Sequence, residues 1–255
     1  MLLAIDIGNT ETKLGAYAPD SETLLRAWRV TTESRRTVDE FGALLVQLIG
    51  AAHFAPDQFA AVAVASVVPK VDAVVDEAAR TFLGVAPVFL KPHKQTLMPV
   101  LTDRPSEVGA DLVAAAIGAR ARYGAPLIVV SYGTATVFTA ISPEGAYAGV
   151  AIAPGISVSI DALVGRTAKL PQIAIEDPGR ALGRTTIEAL QAGIVYGFVG
   201  QTEALVTRFR AEMGCYAKVV ATGGLADVVA RNSGIIDAVD PHLSLEGLRL
   251  FHASL

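Results

Sequence analysis

The chain writes one short phrase twice. Ile5-Asp6-Ile7-Gly8-Asn9-Thr10 and Val130-Ser131-Tyr132-Gly133-Thr134-Ala135 lie 125 positions apart, and each interrupts a run of strand-forming residues. A strand that breaks at glycine beside small hydroxyl or amide residues presents backbone N–H groups suited to phosphate oxygens. The echo therefore predicts a duplicated fold whose halves carry equivalent turns, and two such turns facing each other would form an ATP cleft.

With 255 residues, 52% hydrophobic and 18% charged, the chain can bury a substantial core as one large domain or as two smaller ones, and the echo selects two. A net charge of −4, with Lys and Arg scattered, carries no electrostatic footprint for nucleic acid or for a membrane surface, so a small-molecule substrate is expected. Cys215 stands alone and cannot form an internal disulfide, and His53, His93, His242 and His252 lack metal-ligand spacing. No apolar stretch reaches the ~18–20 residues of a membrane span, and the chain opens on strand residues rather than on a charged and then apolar leader. A cytoplasmic, unprocessed protein is expected.

Residues 2–5 and 12–17 read as strands joined by the Gly8-Asn9-Thr10 turn, with a third strand at 28–30. From Thr37 the period becomes helical. Phe41, Leu44, Leu45, Leu48 and Ile49 share a face, Thr37 and Glu40 are spaced as a capping box, and Gly50 is the expected stop. Residues 59–68 are continuously small and apolar, as in a strand covered on both faces, and Val71, Val74, Val75, Ala78 and Phe82 then mark a helix ending at Gly84. The second half repeats the plan, with strands at 127–130, 137–141 and 147–152, a long helix over 186–213, and a strand running into Gly223-Gly224 before a further helix. The alanine-rich segment 111–123 reads as a connecting helix, which places the domains at 1–112 and 113–255.

Asp6, at the end of an inner strand, can orient a hydrated magnesium ion while Asn9, Thr10 and Lys13 reach phosphate oxygens. The rival reading is an ordinary hairpin, because Gly-Asn is also a favoured turn pair. Gly133 and Thr134 repeat the turn, and Thr222-Gly223-Gly224 offers bare backbone for an adenine and ribose. Neither a Walker A pattern nor G-x-G-x-x-G occurs, which excludes the commoner phosphate cradles.

This set of turns resembles the actin, sugar-kinase and heat-shock-ATPase superfamily. The order Asp-Ile-Gly-Asn-Thr at 6–10, Pro-Ser-Glu-Val-Gly-Ala-Asp at 105–111, Gly-Thr-Ala at 133–135, Ala-Pro-Gly at 153–155 and Ala-Thr-Gly-Gly-Leu at 221–225 closely resembles the type III pantothenate kinases over nearly the whole chain. The closing phrases at 239–241 and 245–248 are similar to that family's C-terminus. The resemblance implies an α/β fold of two duplicated ribonuclease-H-like (actin-like ATPase) domains, each a mixed sheet with helices, with the nucleotide cleft between them. It also implies magnesium-dependent transfer of phosphate from ATP to the pantothenate hydroxyl, giving 4'-phosphopantothenate in the first step of coenzyme A synthesis. A homodimer, with the partner closing the substrate pocket, belongs to the same implication.

Residue by residue, the resemblance makes Asp111 the catalytic carboxylate that accepts the hydroxyl proton while turn amides and magnesium hold the developing charge. Ile7 and Gly8 join Asp6, Asn9, Thr10 and Lys13 in the first nucleotide turn. Gly133, Thr134, Gly223 and Gly224 complete the nucleotide contacts. Thr102, Arg104, Gly109, Ala110 and Leu112 surround Asp111 as substrate contacts, and Thr186 matches a substrate-contacting threonine. Each has a plainer rival. A carboxylate at 111 suits a helix start, Thr185 with Glu188 forms a capping box, and the Gly149, Ala153, Pro154 and Gly155 stretch, similar to the family's loop over the active site, also reads as a tight turn.

Five positions depart from the family pattern. Leu112 stands where an anion-gripping Arg is usual, Thr102 for a Tyr, Arg104 for an Asn and Thr185 for an Asn. Ser131 replaces an Asp that holds a monovalent cation, potassium or ammonium, and a neutral hydroxyl is the poorer ligand. Three readings follow: a pantothenate kinase in which Arg104 or Arg166 grips the carboxylate and cation dependence is lost; a kinase for another small hydroxylated substrate; or a paralogue that binds ATP as a sensor or regulator. The retained Asp6, Lys13 and Asp111 favour the first. A fourth reading takes Ser131 as a hydrolase nucleophile, although the glycine two positions before it is missing.

Overall fold

The computed structural model describes residues 1–255, which divide into two compact units, Met1–Gly118 with His242–Leu255, and Ala119–Pro241. The first unit carries a five-stranded sheet of β1 (Leu2–Ile7), β2 (Glu11–Tyr17), β3 (Leu24–Thr31), β4 (Ala61–Ser66) and β5 (Val88–Phe89), in the order β3-β2-β1-β4-β5. The second unit carries β6 (Leu127–Tyr132), β7 (Ala135–Ile141), β8 (Tyr147–Pro154), β9 (Lys218–Thr222) and β10 (Ala238–Val239), in the order β8-β7-β6-β9-β10. In each sheet the first strand pairs antiparallel with the second and parallel with the fourth, so the duplication read from two short phrases extends to the pairing of every strand.

Strand β1 is buried along its whole length, as the apolar run of residues 2–5 dictates, and it carries the charged Asp6 into the interior with it. Alternation sends Leu3, Ile5 and Ile7 into a core with Phe41, Leu45 and Ile49 of α1 (Val38–Ala51) and Val71 and Val75 of α2 (Pro69–Ala78). The capping box at Thr37 and Glu40 opens α1, but the helix passes Gly50 and ends at Ala52, because Ile49 behind it is anchored in the core. Helix α2 widens into a π-helical turn over Ala79–Leu83 and stops at Gly84, whose φ of +71° suits glycine.

The other helices are α3 (Ala110–Tyr123), α4 (Ile156–Gly165), α5 (Thr186–Met213), α6 (Ala226–Asn232) and α7 (Leu243–Ala253). The second core gathers Ile128, Val130 and Tyr132 of β6 with Phe198, Val199 and Val206 of α5. No helix is long and apolar enough to cross a membrane.

Two expectations need revision. The first unit extends to Gly118 rather than ending at 112, and residues 242–255, expected with the second domain, belong to it. Helix α7 contacts β1, β2 and β4 and buries Leu243, Leu245, Leu248 and Phe251. At about 1.5–3 kcal/mol for each such side chain, this docking outweighs the few tenths that local propensity supplies and decides where the tail goes. The stretch read as a glycine-proline loop is instead β8, with Pro154 at the end of an edge strand where a missing N–H is harmless and Gly155 as the N-cap of α4.

Candidate active site

Asp6 lies opposite Lys13 in the antiparallel pairing of β1 and β2, so the two side chains leave the same face of the sheet. That face is the one α7 covers, since Leu245 abuts Gly15, two residues beyond Lys13. Asp6 is only 7% exposed; its Oδ2 accepts the Ser244 hydroxyl at 2.5 Å, and its Oδ1 is buried without a partner. Asp111 occupies the first turn of α3, where its Oδ1 accepts the Leu112 N–H at 2.8 Å. Gly109 makes this conformation possible, because a Cβ there would stand 2.5 Å from Asp111 Oδ1. Asp111 is thus a first-turn carboxylate, as the plainer reading expects, and that placement is compatible with a catalytic one.

Burial pushes Asp6 above the usual carboxylate range, against the pull of Lys13 and the Ser244 hydrogen bond. Burial also raises Asp111, the Asp6 charge raises it further, and the Leu112 N–H and Lys13 oppose, leaving it at about 6. Two carboxylates that repel each other beside one lysine form an arrangement suited to a cation and to proton transfer near neutral pH. The donor set fits magnesium. That ion takes one or two carboxylates and fills its remaining positions with water and phosphate oxygens, and the unpartnered Asp6 Oδ1 is such a donor.

The turns work differently from the simplest expectation. The Gly8 N–H donates to Glu11 O and the Gly133 N–H to Ala135 O, each at 3.0 Å, so both amides close their own hairpins rather than awaiting a phosphate. Ile7 turns its side chain into the core and accepts from the Val67 N–H at 3.1 Å. Asn9 and Thr10 are the exposed residues of the first turn. In the second unit three glycines converge on the end of β6. A Cβ at Gly155 would strike the Gly133 and Thr134 carbonyls, and Gly223, at φ +98°, would strike Tyr132 backbone. Gly224 follows as an exposed position.

Arg104 is exposed and pairs with the exposed Glu107 at 3.0 Å, a surface contact weak enough for a substrate carboxylate to displace. The Thr102 hydroxyl is buried without a partner, whereas Ala110 is buried and Leu112 half-buried in the first turn of α3. Thr186 is the first residue of α5 and exposed. Thr185 caps that helix by accepting the Glu188 N–H at 3.2 Å, while Glu188 reaches back to the Arg184 N–H at 2.7 Å. Ser131 is half-buried inside β6, paired with Val137 and Thr222, and the chain continues into an antiparallel hairpin. A nucleophile elbow requires a sharp strand-to-helix turn, so the hydrolase reading fails. Ser244 was not singled out in the sequence; the family-like phrase begins one residue later, at 245, and nothing local ties Ser244 to Asp6.

A family model described as Type III pantothenate kinase matches residues 2–208. The type III pantothenate kinase of Myxococcus xanthus is 45% identical over 252 residues, covering 99% of this chain and 98% of that protein. The chain belongs to the type III pantothenate kinase family. Its fold is shared with more distant solved structures. A Baf-family protein of Campylobacter jejuni superposes with a TM-score of 0.62 at 18% identity, covering 99% of this chain and 98% of the other. The activator of the 2-hydroxyisocaproyl-CoA dehydratase from Clostridium difficile, solved with bound ADPNP, gives 0.54 at 12% identity, covering 98% and 93%. The actin-like architecture expected from the glycine turns is therefore the one adopted, and family membership supports a kinase.

Proposed function

We propose that this protein transfers the γ-phosphoryl group of ATP to the hydroxyl of pantothenate, giving 4'-phosphopantothenate and ADP. The observation that carries the reading is Asp111 held at about 6 by burial and by Asp6, in a chain of this family. A carboxylate of that pKa is ionised at neutral pH and is a stronger proton acceptor than an exposed one. It takes the hydroxyl proton as the oxygen–phosphorus bond forms and the bond from the γ-phosphorus to the ADP oxygen breaks. Lys13, across from Asp6, offsets the charge of the transferring group, and Asn9 and Thr10 supply polar contacts at the turn. Asp6, directly or through water, would hold magnesium, which neutralises phosphate charge when bound. Thr102, Gly109, Ala110 and Leu112 are proposed substrate neighbours of Asp111, with Thr186 a further contact. Gly133, Thr134, Gly223 and Gly224 are proposed for the nucleoside side.

The working form we infer is a cytoplasmic homodimer. Support comes from the outer face of edge strand β8, where Val150 and Ile152 are exposed, with Ile152 at 68%, and from exposed Val158 and Leu163 on α4. An apolar edge of this kind invites a second copy.

A second reading, another small hydroxylated substrate, is favoured by one observation: Leu112, beside Asp111, offers no charge to grip a carboxylate where the family pattern has an Arg. An ADP-release assay across pantothenate and related hydroxy acids, with product mass determined, separates the two. Release that depends on pantothenate and yields 4'-phosphopantothenate supports the first. Release with a different acid alone supports the second, and nucleotide binding without release for any acid supports a regulator.

A further inference from the structure

Ser244 stands outside the residues matched by the family model, yet it makes one of the shortest side-chain contacts in the chain, 2.5 Å from its Oγ to Asp6 Oδ2 across 238 positions. That separation lies at the short end of the range for O–H···O hydrogen bonds, where charge-assisted contacts also fall. Ser244 is the second residue of α7, whose N-cap is His242, and its hydroxyl donates across to the carboxylate of β1. The contact is enclosed, with Ser244 6% and Asp6 7% exposed.

The helix that brings Ser244 is seated on the helix that carries Asp111. Gly118 of α3 packs against the Leu243 carbonyl, and Gly247 of α7 packs against Ala114, so closely that a methyl group at either glycine would overlap backbone. The start of α7 therefore has little freedom to move relative to α3 or to β1. With Oδ2 tied to Ser244, the Asp6 carboxylate cannot rotate freely, and its second oxygen is left buried with no partner. A buried carboxylate oxygen without a donor is costly, and such a site persists where a ligand completes it.

We propose that Ser244 is a positioning residue for the phosphoryl transfer: by holding Asp6 Oδ2, it aims Oδ1 at the hydrated divalent cation that accompanies the nucleotide. This rests on the kinase reading above for its chemistry, but its test does not require turnover. The C-terminal helix thereby becomes part of the site as well as a cover for the sheet.

The test compares wild type with Ser244→Ala, and with Ser244→Cys as a near-isosteric variant that retains packing and only a weak donor. Binding of ADP is measured calorimetrically with and without magnesium, alongside kcat, the KM for pantothenate and the half-saturating magnesium concentration. Loss of a hydrogen bond to a charged acceptor corresponds to roughly ten- to a hundred-fold. The expected result is a shift of that size in half-saturating magnesium and in magnesium-dependent ADP affinity, with metal-free ADP affinity and the pantothenate KM within two-fold of wild type. A merely structural role would move all of these together, or move the melting temperature alone, and either outcome overturns the proposal, as does magnesium dependence unchanged in both variants. Should Ser244→Ala fail to fold, Ser244→Cys decides by the same readouts. If wild type shows no pantothenate turnover, the kinase reading falls while the ADP measurements still judge Ser244.

Discussion

Replacing Asp111 by Asn should make the protein more stable as it makes it inactive. The rise of this carboxyl from an ordinary 3.8 to about 6 is equivalent to about 3 kcal/mol against the ionised folded state. Asp111 is partly exposed, and screening reduces the figure to about 1–2 kcal/mol. An Asn oxygen can still accept the Leu112 N–H, and the amide removes the repulsion with Asp6. The sign follows from the direction of the shift. Because the folded form holds its proton more tightly than the unfolded form, the penalty is absent below pH 4, grows between about 4 and 6, and is complete above 6. Denaturant unfolding of both proteins at pH 8 should show Asp111→Asn ahead by about 1–2 kcal/mol, or roughly 2–8 °C in melting temperature, with the advantage shrinking steadily towards pH 4. Turnover should fall about 10²–10⁴-fold while nucleotide binding is retained. An advantage that is independent of pH, or a variant less stable at pH 8, would refute burial and the Asp6 charge as the cause of the shift. Unchanged turnover would remove Asp111 from the chemistry.

The same carboxylate should give kcat/KM for pantothenate a rising limb centred near pH 6, since the base acts only when deprotonated; a flat profile from pH 5 to 8 would contradict that role. Gly223→Ala places a methyl against Tyr132 backbone at φ +98° and should cost about 2 kcal/mol or more of stability by denaturant unfolding, together with weaker nucleotide binding. Ile152→Lys, on the outer face of β8, should convert a dimer to a monomer in light scattering, and a dimer that survives it would move the interface elsewhere. With Ser131 in place of a carboxylate, potassium and sodium should support equal rates, and strong potassium stimulation would point to another cation site.

Much of the fold was legible because its determinants are local. The echo at Gly8 and Gly133, the capping box at Thr37 and Glu40, and the helical period to Gly84 each depend on neighbours a few residues away. The bounds of α5, Thr186–Met213, follow from Thr185 at one end and Gly214 at the other. Asp6, Lys13 and Asp111 were nameable for the same reason, since each sits at a strand end, opposite a strand end or at a helix start. Less legible were the short strand β5 and the helix α4, where two residues or a run after Pro154 carry too little period to stand out. Arg104 was nameable as a candidate grip for a carboxylate, whereas its pairing with Glu107 shows only in the structure.

What the chain by itself determined is therefore the duplicated strand-and-turn pattern and which residues are candidates for handling phosphate. Only the tertiary structure decided that the last helix returns to the first sheet, that Gly118 and Gly247 let two helices touch backbone to backbone, and that Ser244 reaches Asp6. The physical reason is that turn and helix preferences are written over a few bonds, whereas desolvation, close packing and the mutual repulsion of Asp6 and Asp111 exist only once distant segments have excluded water from the same small volume.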